Sequence, residues 1–374
     1  MTRALLGIAR VAVARWIRGP LLIVALMVLG LSLLALPPSL AIGSDILAWR
    51  DDASFALGVI GWVSLVAGAL LPIMGGAAHA RRAEARLAGD RITVSGHLGA
   101  SWLLISVVAS AGAAETSSWL RWRHGPVEVH GASILHTPVW RNHEGLSCAK
   151  KSPIRLTIPI AREATVAGTL RVAATFRVTA ATDGPSGPPS LTMRYRTDDS
   201  PWRERIVRPD GIGRLVETVS CTQKTTKLHL EFTDPATSAS LLAVPGGVVV
   251  SGAPVPTFGA LFRGALIMAA MGIGVASFVM LMSGHVHSAL AVTSGIVVAT
   301  LASALMTHRA DVPQWIELIG RWLPGATPVD PSTEFRAGLA PTWGMVNESL
   351  AHAMLWTMLA IGVPPRSDSR KDVA

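Results

Sequence analysis

The apolar residues of this chain are gathered into blocks, and that blocking limits what it can fold into. A helix needs roughly 20 mostly apolar residues to cross the roughly 30 Å hydrocarbon core of a bilayer. The windows Trp16–Leu36, Phe55–Ala78, Leu98–Ala114, Phe258–Met282, Ala289–Met306 and Trp343–Val363 approach that length. Half of them precede a long polar middle, residues 115–255, and half follow it. Only 15% of the 374 residues are charged and 50% are hydrophobic, against roughly 25% charged in soluble domains. The pattern predicts a polytopic α-helical membrane protein of six transmembrane helices with an extracytoplasmic domain inserted between the third and fourth.

The first window competes with a secretory signal. Its start, MTRALLGIAR, is basic, but LALPPSLAIG lacks a small-residue cleavage pattern and Leu21–Leu36 is longer than a usual signal core. It is expected to remain as a span. Leu5, Ile8, Ala12 and Trp16 recur at helical spacing ahead of it, with Arg3, Arg10 and Arg15 between them. That spacing predicts an amphipathic lead-in helix at the membrane surface.

Arginine and lysine in short loops mark the cytoplasmic side. Residues 1–20 carry Arg3, Arg10, Arg15 and Arg18; residues 79–97 carry Arg81, Arg82, Arg86 and Arg91; the tail, 364–374, carries Arg366, Arg370 and Lys371. Residues 37–54 set Arg50 against Asp45, Asp51 and Asp52. Both termini and residues 79–97 are therefore expected inside, with 115–255 outside. The expected divisions are 1–114 for the lead-in helix and three spans, 115–255 for the outer domain, and 256–363 for the last three spans.

The outer domain alternates apolar and polar residues at period two in IRLTIPI, GTLRVAATFRVTA, SLTMRYR, TKLHLEF and GGVVVSG, separated by turns such as TDGPSGPPS. This predicts an all-β domain, a jelly-roll-like sandwich. Its arginine-bearing strands read as the solvated face of a sheet. Cys148 and Cys221 both lie here, where thiols can oxidise, so a disulfide is expected; two separate buried thiols are the alternative. The net charge of +9 is scattered among acids, which argues for an anionic surface or polymer as neighbour and against nucleic acid.

Between the last two spans, Trp315, Ile316, Ile319, Trp322 and Leu323 share one face of a short helix that Pro324 ends. Segment 307–342 is thus a candidate lid or gate dipping into the outer interface. Glu348 and His352, four residues apart in the last span with Asn347 beside them, are ionisable groups at membrane depth, where such groups are costly. They either line a transport pathway or hold hydrogen bonds within the bundle. Arg263 sits within reach of the outer interface. The glycines of MGIGVAS (271–277) permit close helix packing. No GxxxxGK[ST], HExxH or GxSxG pattern and no cysteine–histidine cluster occurs. The chain is not expected to be an enzyme or to bind a metal or cofactor. Transport subunit, sensor and surface-binding anchor remain.

The order of parts resembles the type-2 permeases of ATP-binding-cassette (ABC) transporters, in the subgroup with an extracytoplasmic β-domain insertion. The resemblance is carried by Arg81, Arg82, Glu84 and Arg86, then ITVS (92–95) and GHLGA (96–100), by residues 254–292, and by ELIGRWLPGATPVDPSTEFRAGLAPTWG. It implies an exporter of the bacterial inner membrane driven by a cytoplasmic ABC ATPase dimer, which would bind the ATP and Mg. It also implies a second permease copy, and an ATPase-coupling loop of Arg81, Arg82, Glu84, Arg86 and Arg91. The translocation or gate residues would be Arg263, Trp315, Trp322, Asn347, Glu348 and His352. The competing expectation is a non-transporting anchor or sensor whose β-domain binds an envelope carbohydrate or protein.

Overall fold

The structure, a computed structural model, describes residues 2–18, 45–72, 90–125, 129–130, 146–148, 154–160, 165, 168–179, 191–198, 200–207, 214–233, 240–252, 254–283, 285–307, 313–327, 330–336 and 339–363. The chain divides into a helical unit (Met1–Val127, Thr257–Arg336 and Trp343–Ala374) and a β unit (Glu128–Pro256 with Ala337–Thr342).

In the helical unit, α1 spans Thr2–Arg18 and α2 spans Asp45–Leu70. Helix α3 spans Asp90–His124, α4 Thr257–Ser283 and α5 Ser288–Thr307. Two short helices follow, α6 (Gln314–Trp322) and α7 (Pro331–Arg336), and then α8 (Trp343–Gly362). Among the described residues, four helices are long and apolar enough to cross a membrane: Trp49–Leu70, Arg91–His124, Thr257–Ser283 and Ser288–Leu305. This is a membrane protein. Helix α8 is not one of the four, because Asn347, Glu348 and His352 dilute its apolar run. The expected first span lies almost wholly outside the described residues.

Helix α3 begins at Asp90 and runs to His124, well beyond the expected window of 98–114. ITVSGHLGA contains no proline and is helical throughout, so the expected inner loop loses its last residues to α3. At the other end the helix pushes the start of the β unit to Glu128, not residue 115.

Helix α4 is the axis of the bundle, with α2, α3, α5 and α8 all packed on it. Lipid gives apolar helices little reason to associate, so close packing has to come from small residues. A Cβ at Gly68 would collide with the Gly272 carbonyl, and one at Gly272 with the Ser64 carbonyl. The α2 and α4 backbones are therefore in direct contact, and the close-packing reading of MGIGVAS holds. Further along, Gly61 faces Met268 and Gly264 faces Leu57, so α2 and α4 run parallel. Leu98 packs with Met280 and Ala360, and Leu65, Ala69, Val275, Val279, Ala291 and Ala299 form a second apolar cluster. These contacts make α3 and α5 antiparallel to α4 and make α8 parallel to it. The end where α3 finishes and α4 begins is the insertion end.

The β unit holds two four-stranded antiparallel sheets. The strands are β1 (Val129–His130), β2 (Leu146–Cys148), β3 (Ile154–Pro159), β4 (Thr169–Thr179), β5 (Leu191–Thr197), β6 (Arg203–Val207), β7 (Arg214–Ser220), β8 (Lys227–Thr233), β9 (Ser240–Ser251) and β10 (Pro254–Val255). One sheet has the order β2-β9-β4-β7 and the other β3-β8-β5-β6. Strands β1 and β10 pair with each other, tying the two ends of the unit together. The second sheet buries every other residue, as period-two alternation requires: Leu156 and Ile158, Leu228, Leu230 and Phe232, Met193 and Tyr195. Leu170, Val172, Val219 and Val250 form the buried side of the first.

The expected disulfide is not formed: Cys221 is a free thiol, and burial pushes its pKa up. The register explains why. Cys148 pairs across β2–β9 with Leu241, which in turn pairs with Val178. Cys221 follows β7 and bonds through its amide to the Gly168 carbonyl (2.9 Å), at the opposite end of β4. The strands β2 and β7 are the two edges of that sheet, roughly 14 Å apart at 4.8 Å per strand. A disulfide requires Cα atoms within about 7 Å.

Candidate functional site

The segment between α5 and α8 passes into the middle of the helical bundle and out again. Helix α6 descends beside α5, with Gly320 against Leu305. It ends at Leu323, where Leu323-Pro324-Gly325-Ala326 makes a tight turn closed by the Ala326 amide on the Leu323 carbonyl (3.1 Å). Proline then glycine, with Gly325 at φ 82°, is the residue choice of a type II turn. Pro324, Gly325 and Ala326 are all buried. Gly325 packs against Ala299 and Val275, and its amide nitrogen would lie 3.1 Å from a Cβ placed at Gly274. Gly274 lies about 16 Å further along α4 than Arg263, at 1.5 Å per residue, which is about half of a hydrocarbon core. The chain then returns towards the insertion end: Pro331 meets Gly264, and the Phe335 ring lies 6.1 Å from that of Trp49.

Irregular backbone at that depth needs partners within the protein. The Leu323 carbonyl accepts a second hydrogen bond, from Nε2 of His352 on α8 (2.9 Å). A carbonyl only accepts, so Nε2 carries the proton. On the return, Asp330 caps α7 through the Ser332 amide (2.9 Å) and hydroxyl (2.7 Å), with Pro331 in the first helical position. Beneath the turn, the Thr357 hydroxyl joins three helices. Trp102 donates its indole N–H to it (3.1 Å), and Ser277 lies 2.9 Å away. Thr357 donates to the Ala353 carbonyl (2.9 Å). Near the insertion end the Arg263 guanidinium lies 5.2 Å over the Trp343 ring.

The residues singled out from sequence therefore separate. His352 joins the segment to α8, and Arg263 joins Trp343. Asn347 and Glu348 are exposed on α8 and do not share the His352 contact. Trp315 and Trp322 are exposed on α6 together with Leu318 and Ile319, so the apolar face of α6 points away from the rest of the unit. Trp49 is buried. Arg91 is exposed in the first turn of α3, its carbonyl taking the Ser95 hydroxyl (2.7 Å). Arg81, Arg82, Glu84 and Arg86 lie outside the described residues.

A further cluster lies at the insertion end. Asp52, 3% exposed on α2, accepts from His124 Nε2 (2.8 Å) and pairs with Arg123 Nε (3.2 Å), both on the last turn of α3. Its signal was available: acids just ahead of one span and bases just after the next come to the same end of an antiparallel pair. Among the described residues no group of three or more histidine, cysteine, aspartate or glutamate side chains could hold a metal ion.

The chain matches no protein-family profile, no curated protein and no solved structure.

Proposed function

We propose that this chain is the membrane-spanning permease subunit of an ABC-type exporter in a bacterial inner membrane, worked by a separate cytoplasmic ATPase dimer that binds the ATP and Mg. Six spans would cross the membrane with both termini inside, and two permease copies would face the two-fold ATPase. The observation that carries the reading is the dipping segment 313–336. Its tip is seated between α4, α5 and α8, so any rearrangement of those helices must move it. A buried turn held by one histidine and by small-residue packing has two obvious states, seated and withdrawn, which is what an outer gate needs. The alternating directions of α2, α3, α4, α5 and α8 support a chain that crosses at every pass.

In the β unit, the chain passes from one sheet to the other at every step except β5 to β6: β2, β4, β7 and β9 lie in one, β3, β5, β6 and β8 in the other. That order supports a jelly roll. The salt bridge Arg205 Nη1–Glu217 Oε2 (3.3 Å) between the edge strands β6 and β7 supports two sheets stacked as a sandwich.

Arg81, Arg82, Glu84, Arg86 and Arg91 would form the inner lever that meets acidic groups on the ATPase. Replacing Arg82 and Arg86 by glutamate should abolish capture of the ATPase from native membranes by the tagged chain and leave membrane insertion intact. Capture that survives the double replacement overturns the lever.

A further inference from the structure

Registered pairs of an antiparallel sheet share a face, so the outward side of β3-β8-β5-β6 can be read as rows crossing the strands. One row is Arg155, Glu231, Arg194, Glu204, by the pairings Arg155↔Glu231, Arg194↔Glu231 and Arg194↔Glu204. The neighbouring row is Thr157, His229, Arg196, and Trp202 continues it, with the Arg196 guanidinium 4.9 Å and the Arg194 guanidinium 5.7 Å from its ring. The charges in the first row are unequal in reach. The Arg155 and Arg194 side chains are 75% and 42% exposed, while Glu231 between them is only 12% exposed. Its contacts to them are long, 3.4 Å and 4.0 Å, and a guanidinium has five donors. Arg194 also pairs through Nε with Glu204 (3.5 Å), and the Nε atoms of Arg194 and Arg196 are buried without a hydrogen-bond partner. The second row supplies neutral hydrogen-bonding groups, with the Thr157 hydroxyl 3.1 Å from His229 Nδ1. Burial first, then Arg196 and Lys227, pull the His229 imidazole below its ordinary pKa against the opposing pull of Asp198.

We propose that this face binds a strand of acidic glycan, with Arg155, Arg194 and Arg196 taking its carboxylates and Trp202 stacking on the apolar face of a sugar ring. Arginine forks match carboxylates in two-point geometry, and Arg155 and Arg194 stand two strands apart in one row, roughly 10 Å, which suits an extended polymer that carries repeated charges. The Arg194 and Arg196 guanidiniums lie 5.7 Å and 4.9 Å from the indole, which is still 39% exposed, so ring and cations are neighbours on this face. A simple polyanion would use the arginines and leave the indole idle, whereas a uronate polymer engages both.

The test is titration of the full chain in detergent with an oligogalacturonate, using its fully methyl-esterified form as the uncharged control. The acid should bind, and the ester at least about tenfold more weakly, as expected for loss of charged hydrogen bonds. Arg194→Ala with Arg196→Ala should weaken binding by a similar factor, and so should Trp202→Ala alone, an exposed change at the end of a strand. Arg155→Ala, on the edge strand and mostly exposed, gives a second cationic variant that leaves the remaining pairs in place. Unchanged thermal melting of each variant shows that the fold is kept. Absence of binding, equal binding of the ester, or indifference to Trp202→Ala overturns the proposal. So does displacement by short-chain phosphatidylglycerol as effective as by further oligouronate, which would assign the face to lipid headgroups. The assay contains no ATPase, so its result is independent of the coupling experiment.

Discussion

The two units of this chain use polar residues in opposite ways. In the helical unit several are committed to particular partners inside the bundle: His352 to the Leu323 carbonyl, Trp102 and Ser277 to Thr357, Asp52 to Arg123 and His124. In the β unit they are many, stand in rows on an exposed face, and share partners loosely, as Glu231 does with Arg155 and Arg194. The cores differ in the same sense. Both bury large side chains, Leu230, Phe232 and Tyr195 in the sheets and Trp49, Phe335 and Leu57 in the bundle, but the bundle also brings helix backbones together at Gly68 and Gly272. A side-chain core tolerates repacking, because one methyl group can replace another. A backbone contact has nothing to rearrange. The helical unit should therefore fail abruptly at a few positions, and the β unit gradually at many.

The largest effect is expected at the helix crossing. Gly272→Leu places a side chain into the Ser64 carbonyl and must force α2 and α4 apart, so the protein should no longer purify as a folded species in detergent. A Cβ at Gly58, on the same α2, would meet nothing within 4 Å, so Gly58→Leu should behave as wild type. Equal yield and melting temperature for the two variants would remove the distinction between the cores. Next comes the buried ion cluster. Asp52→Ala leaves Arg123 and His124 without their carboxylate at the insertion end, and removing one partner of a buried pair costs about 3 kcal/mol. A thermal melt should record that loss, and it should persist in high salt, since buried pairs are poorly screened.

This contrast also decides what could be read from the residues alone. Period-two alternation placed β3, β4, β5 and β8, because each has one apolar side. It missed β6 and β7: RERIV and RLVETVS are dominated by charges and short apolar residues, and they are strands because neighbours β5 and β4 offer them a ladder. Strand order carries no local signal, which is why Cys148 and Cys221 looked like partners although they sit at opposite corners of a sheet. In the bundle, the apolar runs located the helices, and the amphipathic spacing of 315–323 located α6. Its depth stayed hidden, because LPGA reads as a surface turn until Gly274, Ala299 and Val275 are seen to leave room for it. Asp52 and Arg123 are far apart in sequence, and only the antiparallel pairing of α2 and α3 brings them together.

The smallest effect should come from the other aspartate, on the β unit, and it tests the comparison from the exposed side. Asp198 has φ 43°, a left-handed conformation that asparagine also tolerates. Its carboxylate accepts from the Thr226 amide (2.9 Å), the Thr226 hydroxyl (2.9 Å) and the Lys227 amide (3.0 Å). Burial works to raise its pKa, but those bonds and nearby His229 outweigh it and hold the carboxyl below its ordinary value. A depressed carboxyl stabilises the fold fully above its unfolded pKa, about 4, and loses that contribution as pH falls through the lower folded value. Asp198→Asn keeps the backbone conformation but turns one acceptor oxygen into a donor facing another donor. The variant should thus be modestly less stable than wild type at neutral pH, and the gap should close below about pH 4 as the native carboxyl takes up its proton. Protease resistance of residues 191–233 across that pH range would show it. Curves that stay parallel would mean that the turn is held by its backbone alone, and that exposed carboxylates of this unit contribute even less than the comparison allows.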